Sequence, residues 1–235
     1  MPLEMRPMTT DDTLSWTRVR ALAYYGPTHD VLHSGPISES SIRRVAEDRK
    51  REMGQPNTWH WKVVDTDAAP SADDPPDNGG RSIAISVWSM HNVVADKQAE
   101  DSTEESSIPA EKADKAPGFV PLELRVDALS SLLGPLRAAQ HAIMGTWQPF
   151  FKLNSLATHP DYQGRGAATM MLDWGLQKAD KEDLVTYLDA TQTARPLYEK
   201  RGFTLVRAIE WDRAPWGGEG KDCHACMVRG AAKDN

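Results

Sequence analysis

Apolar and polar positions recur along this chain with periods that change, and each change predicts an element. Leu3 to Met8 suits a short strand, ended by Thr9, Thr10 and Asp11, which can cap a helix running to Tyr24. Ser38 or Ser41 starts a second helix carrying Ile42, Val45 and Arg49. Trp59 to Val64 and Ser82 to Trp88 alternate as strands of a long hairpin. Leu122 to Met144 reads as a helix with Leu124, Leu129, Leu132, Leu133, Leu136 and Ile143 on a broad apolar side, interrupted near Gly134 and Pro135. Phe150 to Ala157 is a short apolar run. A helix from about Gly164 to Asp180 follows, with Ala168, Met171, Leu172, Gly175, Leu176 and Ala179 at the 3.6-residue period. Leu184 to Ala190, Thr204 to Trp211 and Ala225 to Arg229 supply the remaining strands. That order predicts one α/β domain over residues 1–235, with a mixed central β-sheet between helices.

Composition adds two interruptions. Residues 65–80 are acidic, proline-rich and without an apolar pattern, and residues 95–116 are rich in Ser, Glu, Asp and Lys. Such stretches cannot recover their ordering entropy by burial, so both are expected to be disordered insertions. They carry net charges of −5 and −4 against −7 for the whole chain, leaving the remainder at about +2. The acidity therefore says little about the substrate, and without a basic stripe no nucleic-acid partner is expected. No apolar run reaches the ~18–20 residues needed to span a bilayer, so no membrane partner is expected either. Two cysteines and no secretory pattern point to a cytoplasmic protein, with the nucleus as the alternative compartment.

The chemistry concentrates at Thr158 to Ala168, T-H-P-D-Y-Q-G-R-G-A-A. A strand, a turn marked by Pro160 and Asp161, and a helix start make an anion cradle. The amides of a first helical turn lack partners, and the helix dipole puts partial positive charge there. Gly164 and Gly166 let the backbone approach a phosphate, and Arg165 adds charge at the rim. A pyrophosphate is the natural ligand. No Lys-Ser or Lys-Thr follows for a nucleotide-triphosphatase loop, and Thr169 stands where a dinucleotide fingerprint needs its third glycine. The segment resembles the acetyl-CoA loop of the GNAT superfamily of N-acetyltransferases, [Q/R]-x-x-G-x-[G/A], filled by Gln163, Gly166 and Ala168. Downstream, T-Q-T-A-R-P-L-Y-E-K-R-G-F from Thr191 to Phe203 resembles that family's second signature, with Ala194, Tyr198, Gly202 and Phe203 matching. Thr191 stands where many members have Asn.

The resemblance covers Phe150 to about Phe203 closely and the rest in outline, and it implies a GNAT fold. It also implies acetyl transfer from acetyl-CoA, as cosubstrate and without a metal, to a primary amine by direct attack on the thioester. A small-molecule amine is the expected acceptor. Peptide termini or lysines are the alternative, and a non-catalytic acyl-CoA-binding module is a third reading. The cofactor residues it implies are Leu156, Ala157 and Thr158 on the strand, Gln163, Gly164, Arg165, Gly166, Ala167 and Ala168 in the loop, then Thr191 and Tyr198. Backbone N–H groups around Leu156 to Thr158 would hold the thioester oxygen. Tyr198 either protonates the departing thiolate or packs the short helix on the sheet. Asp189, where the family's sheet splays, either relays the ammonium proton or caps the following turn.

Other residues carry plainer readings. His159, before Pro160, reads as a turn residue. His29 and His33 lie in a loop where the family often builds its amine pocket, and they are equally solvated loop residues. Nothing in the spacing requires Glu123 at the site. Cys223-His224-Ala225-Cys226 is half a zinc pattern without a second half, with its sulfurs three apart on a strand. Trp59, Trp61, Trp88 and Trp174 suit the core, while Trp211 and Trp216 flank a Pro-Gly-rich loop.

Overall fold

The computed structural model describes residues 2–93 and 118–231. A seven-stranded sheet has the order β1-β2-β3-β4-β5-β7-β6. The strands are β1 (Leu3–Pro7), β2 (Thr58–Asp65), β3 (Arg81–His91), β4 (Phe150–Thr158), β5 (Val185–Thr191), β6 (Thr204–Asp212) and β7 (Lys221–Arg229). All neighbours are antiparallel except β4 and β5. The six α-helices among the described residues are α1 (Thr13–Ala23), α2 (Pro27–Leu32), α3 (Glu39–Arg49), α4 (Val126–Met144), α5 (Ala167–Lys181) and α6 (Arg195–Glu199).

The two faces of the sheet are covered by different helices. Leu172, Leu176 and Ala179 of α5 and Tyr198 of α6 bury against Trp88, Phe151, Leu153, Leu188 and Met227. Trp16 and Val19 of α1 pack on Ile85, Val87 and Ala157 of the other face. There α4 sets Ala128, Leu132, Leu136 and Ala139 against Phe150, Tyr187 and Cys226. Phe151 stacks on Trp88 with ring centroids 4.9 Å apart. A Cβ at Gly175 would overlap the Trp88 indole, which is how closely α5 sits on the sheet.

Several expectations need correction. Helix α4 runs unbroken through Gly134 and Pro135 and begins at Val126 rather than Leu122. Both residues lie on its exposed side, while the buried stripe holds the helix on the sheet against a local proline cost of ~3 kcal/mol. Residues 27–32, read as loop, form α2, with Pro27 in the first turn where its missing N–H costs nothing. Strand β7 begins at Lys221, so Cys223 and His224 lie within the sheet. Cys226 is fully buried in the α4 layer and Cys223 is half-buried.

Residues 65–80 are packed rather than unable to pack. Asn78 is buried, donating from Nδ2 to the Gly80 carbonyl (2.7 Å) and the Ser82 hydroxyl (3.1 Å). Lys62 Nζ reaches both Asn78 Oδ1 and Asp12 Oδ1 at 2.5 Å. Asp74 caps Ser71 and receives the Ser82 amide, and Asp73 pairs with Arg18 of α1. Polar saturation by residues elsewhere in the chain replaces apolar burial, which composition cannot show. The second expected insertion, 95–116, lies outside the described residues. Among the described residues, no helix is long and apolar enough to cross a membrane.

Candidate active site

Parallel pairing of β4 with β5 covers only Phe150–Leu153 against Val185–Leu188. Beyond it both strands continue, β4 bonded only to β3 and β5 only to β7. The parting begins at a bulge, because Trp88 faces Leu153 while Val87 faces Ser155, leaving Asn154 extra. The His159 N–H donates to the Ile83 carbonyl at 2.7 Å, and this fixes the phase of the ladder. With a period of two, Ser155 and Ala157 bond toward β3, whereas Leu156 and Thr158 turn their N–H and C=O groups to the open slot. Of the three strand residues expected at the thioester, Ala157 is thus committed to the ladder, and its side chain packs under α1.

At the foot of the slot, the turn Pro160–Tyr162 leads into glycines at positive φ, 73° for Gly164 and 92° for Gly166. A Cβ at either would meet nothing, so the backbone conformation, not crowding, selects glycine. The helix proper begins at Ala167, and its first backbone bond is from Met170 to Gly166. Among the described residues, no backbone carbonyl receives the N–H groups from Gly164 to Thr169. That run of free amides at a helix N-terminus suits an anion. Ala167 is buried under the sheet and Ala168 is half-buried, so their side chains anchor the cradle and leave the amides outward. Gln163 is exposed. Arg165 is not a free rim charge: it pairs with Asp65 at 2.5 Å and lies 5.4 Å from the Tyr162 ring centroid, pinning the loop to β2.

Tyr198 is buried on the α5 side, sharing a cluster with Leu153, Leu188 and Ala190 at the slot. Burial pushes its phenol well above the usual tyrosine range, and the Tyr24 phenol at the end of α1 adds to the shift. Asp189 lies on the opposite face. Its carboxylate accepts from the Tyr187 hydroxyl at 2.7 Å, and Cys226 stands directly across from it on β7. Thr191, not Asp189, caps the following turn by accepting from the Ala194 amide. The slot is therefore flanked by a phenol on one face and a carboxylate on the other. Sequence reasoning missed Tyr187, although its place two before Asp189 on a strand puts both on one face. Tyr24 gave no local signal at all.

The remaining candidates separate. His159 accepts the Asp161 amide through Nδ1, as a turn residue does. His29 and His33 stack on α2 with ring centroids 4.1 Å apart, beside a cleft of about 230 Å³. Glu123 is spent on α3: its carboxylate receives the Ser38 amide and Ser41 hydroxyl, and hydrogen bonds from Ser38 and Ser41 hold its pKa down to about 2. Trp211 donates to Ser131 of α4, and the Trp216 carbonyl accepts from Arg125, so both pack.

A free amide cradle thus lies beneath a parted pair of parallel strands, an arrangement that can seat a diphosphate at the helix start with an extended chain in the slot above it. A model of the acetyltransferase (GNAT) domain matches residues 132–205. No curated protein sequence matches the chain. A Corynebacterium glutamicum protein described as histone acetyltransferase HPA2 and related acetyltransferase superposes with a TM-score of 0.57 at 17% identity, over 100% of this chain and 99% of its own. The Drosophila melanogaster polyamine N-acetyltransferase gives 0.56 at 13%, over 97% and 99%. A mosquito arylalkylamine N-acetyltransferase-like protein gives 0.56 at 10%, over 97% and 99%. Residues 132–205 thus match the GNAT acetyltransferase domain, and the chain shares the fold of these N-acetyltransferase structures.

Proposed function

We propose that this protein transfers the acetyl group of acetyl-CoA to the primary amine of a small molecule, by direct attack and without an acyl-enzyme. The observation that carries the reading is the run of unpartnered amides from Gly164 to Thr169, directly below the freed edge of β4. Acetyl-CoA supplies an activated thioester; the chain supplies position and proton handling. The α5 amides receive the diphosphate, and the Leu156 N–H in the slot polarises the thioester oxygen. Asp189 takes the proton of the incoming ammonium. The C–N bond forms as the C–S bond breaks, Tyr198 gives its proton to the leaving sulfur, and the proton shed by the new amide nitrogen passes through water to restore the phenol. With its raised pKa the phenol stays protonated at every working pH, so it acts first as a hydrogen-bond donor to the developing thiolate. Two of the similar structures are named for polyamine and arylalkylamine acceptors, which supports a small-molecule amine here.

The test is thiol release from acetyl-CoA with a panel of amines and peptides. Turnover with small amines is expected, and Tyr198→Phe should lower kcat by ~10²-fold with the fold intact. Unchanged turnover in Tyr198→Phe would remove Tyr198 from the chemistry. If CoA raises the melting temperature yet no acceptor releases thiol, the protein is a binding module. Turnover with peptides alone would move the acceptor to proteins.

A further inference from the structure

The α1 face of the sheet holds a second group of polar atoms that acetyl transfer as described leaves unused. Arg49, at the end of α3, is only 9% exposed, yet its Nε and Nη1 have no hydrogen-bond partner among the described residues. Its guanidinium lies 4.2 Å from the centroid of the Trp16 ring, a cation–π contact that leaves its edge free. Trp16 in turn meets the His60 ring at 5.2 Å, edge to face. The indole Nε1 of Trp16 and the Nε2 of His60, itself 7% exposed, are also buried without a partner. Arginine and tryptophan side chains only donate hydrogen bonds, and neutral histidine donates from Nε2 in one tautomer. Donors from α1, α3 and β2 thus lie in one buried neighbourhood, each without an acceptor among the described residues.

A buried guanidinium without a counter-ion is poorly solvated and unbalanced. Burial, with the charge of Arg20, lowers its pKa to about 10, so it remains cationic at neutral pH. No carboxylate lies within ion-pair distance of it among the described residues, Glu52 acting only from farther off, although fourteen Lys or Arg ion pairs satisfy other charged groups. Beside this group, His60 lines a cleft of about 190 Å³ with Met8, Met53, Thr58 and Trp59, which Arg49 and Trp16 do not line.

The sheet register ties this group to the acyl slot. His60 stands opposite Val87, and Val87 opposite Ser155, so His60 and Ser155 share one face two strands apart, about 10 Å. Ser155 adjoins the bulge that opens the slot, and its Oγ is buried and unpartnered as well.

We infer that the acceptor amine also carries a carboxylate, seated against Arg49, Trp16 Nε1 and His60 Nε2, which makes the substrate an amino acid with well-separated ends. This rests on the acetyl-transfer reading and narrows its acceptor. The experiment compares ω-aminocarboxylates of graded length with their methyl esters in the thiol-release assay. The carboxylates should show a kcat/KM about tenfold or more above the esters, a difference of ~1.4 kcal/mol. Arg49→Gln should bring that ratio to about one, mainly through KM, because ground state and transition state lose the contact alike. A ratio near one in the unaltered protein, or an unchanged ratio in Arg49→Gln, overturns the inference. Should Arg49→Gln not fold, Trp16→Phe keeps the ring and removes one donor, and its ratio must fall. If neither series releases thiol, acetyl transfer fails on its own account. Glutarate then decides the carboxylate site: a raised melting temperature that Arg49→Gln abolishes upholds it, and no rise overturns it.

Discussion

The two sides of the β4–β5 slot are built from different materials. The α5 side is made of backbone: free amides, two glycines at positive φ, and side chains that only anchor them. The α1 side is made of side chains drawn from Trp16, Arg49, His60, Ser155 and Asp189, scattered over most of the chain. A backbone cradle is local, so one short segment specifies it, and every member of a family that binds one cofactor can keep it. A side-chain cleft is assembled by packing, and each of its parts can change to suit a different acceptor. The comparison predicts that substitutions act through different observables on the two sides.

The largest effect should come from what holds α1 on the sheet. Asp12, at the start of α1, forms a buried 2.5 Å ion pair with Lys62 of β2. Asp12→Ala leaves that ammonium uncompensated and should cost ~3–5 kcal/mol of unfolding free energy, read from the urea midpoint. A loss under ~1 kcal/mol would show that α1 is held by apolar packing alone. Next is the cradle. Gly166→Val forces a branched side chain to φ near 92°, at ~1–2 kcal/mol, and should weaken CoA binding by ~10-fold in calorimetry. Gln163→Ala deletes a side chain and leaves the amides, so it should change affinity far less. Equal losses in both would contradict a cradle made of backbone.

The smallest effect is electrostatic and lies at the start of α3. Glu123 caps α3 with its pKa lowered to about 2. A depressed carboxylate pKa stabilises the fold above the unfolded value near ~4.3, and that contribution is lost as pH falls toward 2. Denaturation midpoints of Glu123→Gln should therefore fall less steeply than those of the unaltered protein between pH 5 and pH 2. Parallel curves would show that the cap does not depend on the charge.

The order of the elements and the glycine turn were legible because each is written in consecutive residues. The glycines, the amphipathic stripe of α5 and the strand before it lie within about thirty positions of one another. Asp189 was legible as a carboxylate at the slot but not as the partner of Tyr187. Arg165 was legible as a charge beside phosphates, yet Asp65, a hundred residues away, claims it. Residues 65–80 misled for the same reason: their order comes from Lys62, Arg18 and Arg6, none within the stretch.

What the sequence determined by itself is the periodicity of the elements and the conformation of one glycine turn, because backbone geometry depends on near neighbours. Which charges are satisfied and which are left waiting, as Arg49 is, was decided only when α1, α3 and β2 came together. Burial and pairing are properties of a place in three dimensions, and distant residues share that place only after the chain has folded.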